Sequence, residues 1–438
     1  MSDDDDTLRV APASALIGEI SPPGDKSVSH RAVMLGGLAD GPVEIDGFGA
    51  GADTLSTIAA MEQLGVRVER LDDGPTRLRV HGVGMRGLVA PDRPIDVGNA
   101  GTLMRLLVGI LAGQQGTFTL DGDDSIRRRP VDRVTIPLRE MGASITDAGG
   151  FPPLEIVAGA PLQPIRYELP VASAQVKSCI LLAAMYASDG PTVVVEPIST
   201  RDHTERMLRH AGVRVSRRKS EISIWPAERL KIDTISVPAD PSSAAPFLVA
   251  ATLLLESRLF LRGISANPAR IGILTVLERM GARITVFNRR TLPGGEPVAD
   301  LEVRPSELVA CEIEPALVPS LVDELPLVAL AACLARGVTV VRGAEELAVK
   351  ESNRLESVAE LLRAVGGHVR VTKDGWRIRG VPARLRGGRV DAQGDHRIAM
   401  LGAIAGLVSQ DGVQISGAGS IGVSYPGFAD ELDRLAVR

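Results

Sequence analysis

Met280-Gly281-Ala282-Arg283-Ile284 joins an apolar-striped segment to a run in which Ile and Val alternate with other residues. An apolar residue and Gly followed by period-two alternation marks a helix ending at a left-handed Gly and feeding a strand. The pattern recurs at Leu64-Gly65-Val66-Arg67-Val68, Met141-Gly142-Ala143-Ser144-Ile145, Ala211-Gly212-Val213-Arg214-Val215 and Val365-Gly366-Gly367-His368-Val369. Successive glycines lie 77, 70, 69 and 85 residues apart. One such junction is ordinary, but five at near-constant spacing imply a repeat of about 73 residues. The 438 residues then hold six units. A sixth helix is expected from Phe428 to Ala436, without a strand after it, while residues 8–20 supply a strand without a helix. The sixth unit is therefore expected to be split between the termini. Units of this length are too long for a solenoid and read as small α+β subdomains.

A second class of segments is apolar almost all round: Thr102 to Leu111, Val176 to Ala187, Ala244 to Leu255, Leu325 to Leu334 and Ile398 to Leu407. Helices without a polar face belong in the interior. Polar residues gather just before them, in Gly98-Asn99-Ala100-Gly101, Ser173-Ala174-Gln175, Asp240-Pro241-Ser242-Ser243, Asp323-Glu324 and Gly394-Asp395-His396-Arg397. Helix N-termini favour anions, so these ends are expected to converge on a heavily anionic ligand pair.

Pro23-Gly24-Asp25-Lys26-Ser27-Val28-Ser29-His30-Arg31 has the same character. Asp25 can cap a helix with an apolar stripe at Val28, Ala32, Leu35 and Ala39. That places Lys26, Ser27 and Arg31 in the first turns, where the helix dipole favours an anion. Only six of the 49 basic residues are lysines. A Lys here therefore marks a place for a compact, mobile charge rather than a planar fork. The spacing excludes a P-loop, which needs a Gly four residues before its Gly-Lys-Ser/Thr.

A chain of 438 residues is too long for a single core and implies two domains or three. With 3% aromatic residues, the cores must be aliphatic. A net charge of −5 offers nucleic acid or membrane no general attraction, so any anion site is a local concentration of Arg and Lys. Cys179, Cys311 and Cys333 lack metal-ligand spacing and read as small buried hydrophobes in a reducing compartment. The acidic start, Met1-Ser2-Asp3-Asp4-Asp5-Asp6, has the wrong sign for a leader, and no run reaches the length of a membrane span. A cytoplasmic protein is expected. His30, His203 and His396 read as hydrogen-bonded helix-cap residues. No cofactor or metal is implied.

Nine fragments in order, PGDKSVSHRA, GNAGTLMR, RRRPVDRV, PVASAQVKS, TRDHTERML, ADPSSAAPFLVAA, VDELPLVALAA, LAVKESNRLE and GDHRIAM, make the whole chain similar to the EPSP synthase family. SHRA, SAQVKS and VKESNRL resemble the branch that includes inhibitor-tolerant bacterial members. The resemblance implies an α/β fold with two domains in an inside-out α/β barrel. It also implies six βαβαββ repeats, three per domain, and a two-stranded hinge. One domain would comprise residues 1–22 and 239–438 and hold both termini. The other would be the insertion 23–238, with the active site in the cleft between them.

The reaction implied moves the enolpyruvyl group of phosphoenolpyruvate to the 5-hydroxyl of shikimate 3-phosphate and releases phosphate. By resemblance, Lys26, Gly101, Arg129, Gln175, Arg354 and Arg397 hold phosphoenolpyruvate. Lys26, Ser27, Arg31, Ser173, Ala174, Gln175, Arg201, Asp323 and Lys350 hold shikimate 3-phosphate. Asp323 fits a base for the attacking hydroxyl and Glu351 an acid for the methylene carbon, with Lys26 sharing in proton transfer. Of Arg127, Arg128 and Arg129, only Arg129 is assigned to the site. The partners expected are these two small molecules, without nucleic acid or membrane, and a monomer is the simplest expectation.

Two features depart from the family. Val423-Ser424-Tyr425-Pro426 lacks the Lys that some members carry there, and Glu346 stands where some place an Asn on the substrate. The sister family, which transfers the same group to a UDP-sugar, carries a catalytic Cys in the loop corresponding to residues 121–130, and this loop has none. A non-catalytic anion-binding protein is the other rival. It would be expected to have lost one of Lys26, Asp323, Glu351 or Arg397. Gly101 stands where tolerant relatives place Ala, which implies sensitivity to the family inhibitor glyphosate.

Overall fold

The computed structural model describes residues 6–438, and the acidic start from Met1 to Asp5 lies outside the described residues. The chain forms two compact units. One comprises Met1–Pro23, Ala239–Arg290 and Pro297–Arg438, and the other Gly24–Pro238 with Thr291–Glu296. The segment Thr291–Glu296 differs from the division read in the sequence. Its contacts explain this: Ser236 N–H donates to the Pro293 carbonyl at 2.8 Å, and Glu296 pairs with His203 at 2.9 Å. Each unit has its own aliphatic core.

Among the described residues, six separate sheets carry the strands, three in each unit. Ile95–Asp96, Gly116–Asp121, Leu154–Ala158 and Ser144–Thr146 form one in that spatial order. The first pair is parallel and the others antiparallel. Glu312–Ile313, Gly337–Val341, Gly375–Gly380 and His368–Thr372 repeat that arrangement in the other unit. A parallel pair needs a crossover, and here it is an apolar helix: Gly101–Leu111 in the first sheet and Leu325–Leu334 in the second. The turn into the antiparallel hairpin follows a second helix, Asp132–Glu140 or Arg354–Ala364. Gly65, Gly142, Gly212, Gly281 and Gly366 end such helices at φ of +92°, +92°, +84°, +95° and +99°, a conformation where a Cβ would be strained. Every sheet among the described residues is open, so the barrel is not present as a closed sheet.

The N-terminal run read as one strand is two. Thr7–Val10 pairs antiparallel with Val413–Ser416, and Ala15–Ile20 pairs parallel with Arg258–Ser265 and antiparallel with Ala436–Val437. Pro12, which has no N–H to donate, sits in the break. The apolar helices run Gly101–Leu111, Ala174–Ala184, Pro241–Leu253, Leu325–Leu334 and His396–Leu407. Several begin earlier than apolarity indicates, because a cap sets the start: Ser173, Asp240 and Asp395 each accept a backbone N–H of the first turn.

Lys26–Gly37 joins this class, burying more than its apolar stripe, since every residue from Val28 to Gly37 is buried. Most of its buried polar atoms find partners inside, although His30 Nε2 has none among the described residues. Ser29 Oγ accepts the Gly49 N–H at 3.0 Å, and His30 Nδ1 meets Thr57 Oγ1 at 2.5 Å. His30 is thus inside the helix and not at its cap, whereas His203 and His396 each open one. Burial, then the charges of Lys26 and Arg31, holds His30 well below its ordinary pKa and so neutral. No helix among the described residues is long and apolar enough to cross a membrane.

Candidate active site

In the unit Gly24–Pro238, Asp25 Oδ1 accepts the Val28 N–H at 2.9 Å and fixes where the first helix starts. Lys26 follows, its Nζ 2.9 Å from Asp53 Oδ2. Ser27 lies beside it, half-buried, and its carbonyl accepts from Arg31 Nη1 at 2.8 Å. Arg31 also donates from Nε to Thr204 Oγ1 at 2.7 Å and from Nη2 to Ser178 Oγ at 2.8 Å. Burial lowers its pKa to about 10, against the opposing carboxylates of Glu205, Asp25 and Glu296, and Arg201 adds a like charge. Arg31 therefore stays cationic at neutral pH. The helix Ala174–Ala184 brings Ser178 to Arg31 and places Ser173, Ala174 and Gln175 at its N-terminus.

Gln175 ties that helix to the next. Its Oε1 accepts from Arg105 Nη1 at 3.0 Å, and its Nε2 donates to Thr102 Oγ1 at 3.0 Å. Arg129 Nη2 donates to Asn99 Oδ1 at 3.1 Å and Ser125 Oγ at 3.2 Å. A Cβ on Gly101 would lie 3.1 Å from both Arg105 Nη1 and Arg129 Nη1, so the two guanidiniums press against the bare backbone there. Arg127, itself exposed, instead forks onto half-buried Asp121, at 3.0 and 2.6 Å. Beneath this surface, Lys177 is fully buried between Glu196 at 2.9 Å and Glu205 at 2.8 Å.

The other unit gathers a second charged set. Arg354, 1% exposed, forks onto Asp395, meets Glu351 Oε2 at 2.6 Å and lies 3.6 Å from Asp323 Oδ1. Burial alone would lower its pKa, but Glu351, Asp395 and Asp323 outweigh it and the net shift is upward. Asp395 is 0% exposed, and burial would raise it. The Arg354 charge and hydrogen bond reverse that and hold it below the usual carboxylate range. Arg397 Nη1 donates to the Asp323 carbonyl at 3.3 Å and Nη2 to Ser242 Oγ at 3.2 Å. Lys350 does not join this cluster. Its Nζ pairs with Glu346 Oε1 at 2.7 Å, which gives a role to the carboxylate standing where some relatives place Asn.

The sequence-predicted residues thus fall in two groups. Lys26, Ser27, Gly101, Arg129, Ser173, Ala174, Gln175, Arg31 and Arg201 belong to one unit, and Asp323, Lys350, Glu351, Arg354 and Arg397 to the other. Sequence reasoning missed Arg105, Asp53 and Asp395 as partners of these groups. Arg105 was legible, one helical turn after Gly101 in GNAGTLMR, and Asp395 stood in GDHRIAM; nothing marked Asp53. Each group offers Arg forks and helix N-termini to anions, with carboxylates at Asp323 and Glu351 able to carry protons.

The chain matches the family described as EPSP synthase (3-phosphoshikimate 1-carboxyvinyltransferase) over residues 10–432. It is 50% identical to a 3-phosphoshikimate 1-carboxyvinyltransferase from Desulforudis audaxviator over 98% of this chain and 99% of that one. A protein of the same name from Methylococcus capsulatus is 48% identical over 98% and 97%. A solved EPSP synthase from Acinetobacter baumannii superposes with a TM-score of 0.89 at 40% identity, covering 98% of each chain. The chain belongs to the EPSP synthase family of enzymes.

Proposed function

We infer that this enzyme transfers the enolpyruvyl group of phosphoenolpyruvate to the 5-hydroxyl of shikimate 3-phosphate. The observation that carries this is the paired charge pattern: two Arg-rich groups, one of them holding carboxylates against Arg354. The substrates together bear about five negative charges, which need fixed cations and exclusion of water. Lys26, Gly101, Arg129, Gln175, Arg354 and Arg397 hold phosphoenolpyruvate. Lys26, Ser27, Arg31, Ser173, Ala174, Gln175, Arg201, Asp323 and Lys350 hold shikimate 3-phosphate.

Asp323 accepts the 5-hydroxyl proton as that oxygen bonds to C2 of phosphoenolpyruvate, while Glu351 gives a proton to C3 and makes it a methyl group. Elimination reverses the carbon protonation. C3 returns a proton, its C–H electrons form the double bond, and phosphate leaves with the C2–O pair. Lys26, steadied by Asp53, is placed to balance charge as phosphate departs. We also read the six sheets as six βαβαββ repeats, three per unit, supported by a parallel pair continued by antiparallel strands in each sheet and by the helix that joins the parallel pair in four of them. A net charge of −5 supports small-molecule partners over nucleic acid or a membrane surface.

Substituting one Arg at a time tests the division of labour. Arg397→Lys should raise KM for phosphoenolpyruvate at least about tenfold, and Arg31→Gln should do so for shikimate 3-phosphate, since a charged hydrogen bond is lost in each. Equal effects on both substrates from either variant would contradict the assignment.

A further inference from the structure

Behind Arg397 lies a buried charge network that takes no part in the reaction above. Arg270, 2% exposed, donates from Nη1 to Glu324 Oε1 at 2.9 Å and from Nη2 to Asp240 Oδ1 at 2.8 Å. Glu324 is 0% exposed and immediately precedes the helix Leu325–Leu334. Ser242 sits at their junction: its hydroxyl donates to Glu324 Oε1 and accepts from Arg270 Nη2. A hydroxyl has one proton. With that proton committed to Glu324, the oxygen presents lone pairs to Arg270 and to Arg397, whose Nη2 donates to it at 3.2 Å.

We propose that Glu324 and Arg270 are positioning residues for Arg397. They fix the rotor of the Ser242 hydroxyl, and that hydroxyl holds one edge of the Arg397 guanidinium while the Asp323 carbonyl holds another. The N–H groups left over are then presented to the phosphoenolpyruvate anion in one orientation. Burying two carboxylates and a guanidinium costs desolvation that an apolar packing would avoid, so the network is better explained by placement than by stability. Preorganisation of this kind acts on the substrate that Arg397 binds and not on its partner.

This inference rests on reading Arg397 as a phosphoenolpyruvate ligand, and the experiment separates the two. Steady-state kinetics are measured for Ser242→Ala, Glu324→Gln, Glu324→Ala and Arg397→Lys, with melting temperatures alongside. Ser242→Ala removes one hydrogen bond to a charged group and should raise KM for phosphoenolpyruvate about tenfold, with KM for shikimate 3-phosphate within about twofold of wild type. Glu324→Gln keeps an acceptor for Ser242 and should restore most of what Glu324→Ala loses. Ser242→Ala in an Arg397→Lys background should add less than it does alone. Should Ser242→Ala leave both KM values unchanged, or raise both together as melting temperature falls, positioning is overturned. If Arg397→Lys itself spares the phosphoenolpyruvate KM, the ligand assignment falls and the inference with it. If Arg397→Lys raises that KM while Ser242→Ala and Glu324→Ala do not, only the inference falls.

Discussion

Arg354 and Asp395 meet as a buried fork: Nε lies 2.8 Å from Oδ2 and Nη2 3.1 Å from Oδ1. Removing the Asp395 charge breaks this fork and leaves the buried guanidinium only the more exposed carboxylates of Glu351 and Asp323, so Asp395→Asn should cost about 3 kcal/mol in denaturant unfolding. The pH dependence follows from the downward shift of Asp395. A carboxyl that titrates lower folded than unfolded contributes its full stabilisation above the unfolded value of about 4. That contribution fades as pH falls through the folded value. The stability gap between wild type and Asp395→Asn should therefore be constant above about pH 5 and narrow in stronger acid. A gap independent of pH down to full acid unfolding would refute this account of the pair.

Glu351 and Asp323 are the proton carriers proposed. Glu351→Gln and Asp323→Asn preserve size and remove the titrating proton, so kcat should fall by roughly 100-fold or more. Either variant turning over near the wild-type rate removes that residue from the mechanism.

Lys177 is buried between two carboxylates, and Arg217 Nη2 lies 3.0 Å from Glu196. Lys177→Met would leave two acidic groups facing each other in a dry interior. A loss of about 3–5 kcal/mol in urea unfolding is expected, and an unchanged midpoint would show the network to be energetically neutral.

Gly101 has no Cβ where two guanidinium ends crowd to 3.1 Å of the position one would occupy. Both are tips of flexible side chains, so Gly101→Ala should fold, with Arg105 and Arg129 displaced slightly. Glyphosate, longer than phosphoenolpyruvate, should lose more affinity than the substrate does. Inhibition constants and KM measured on both forms decide the point, and equal losses would contradict it.

The repeat was legible because a left-handed Gly at a helix end is a local necessity that leaves its mark at every copy. The cap and apolar stripe of Lys26–Gly37 were legible, but its burial on every side was not, because periodicity registers polarity and not the partners that meet it. Ser29, His30 and Arg31 look like a wet face until Gly49, Thr57, Thr204 and Ser178 are seen beside them. Separation in sequence set the same limit on the site. Glu351 and Arg354, three residues apart, could be paired by eye. Asp395, 41 residues from Arg354 in the chain, could not. Lys350 was assigned to substrate while Glu346, one turn earlier, was set aside, yet the two pair with each other.

The central claim is that these two charged groups serve enolpyruvyl transfer to shikimate 3-phosphate. Phosphate release from phosphoenolpyruvate, followed with either shikimate 3-phosphate or UDP-N-acetylglucosamine as acceptor, tests it most directly. Release is predicted with shikimate 3-phosphate and not with the sugar nucleotide. Release with the sugar nucleotide alone, or with neither, would contradict the account.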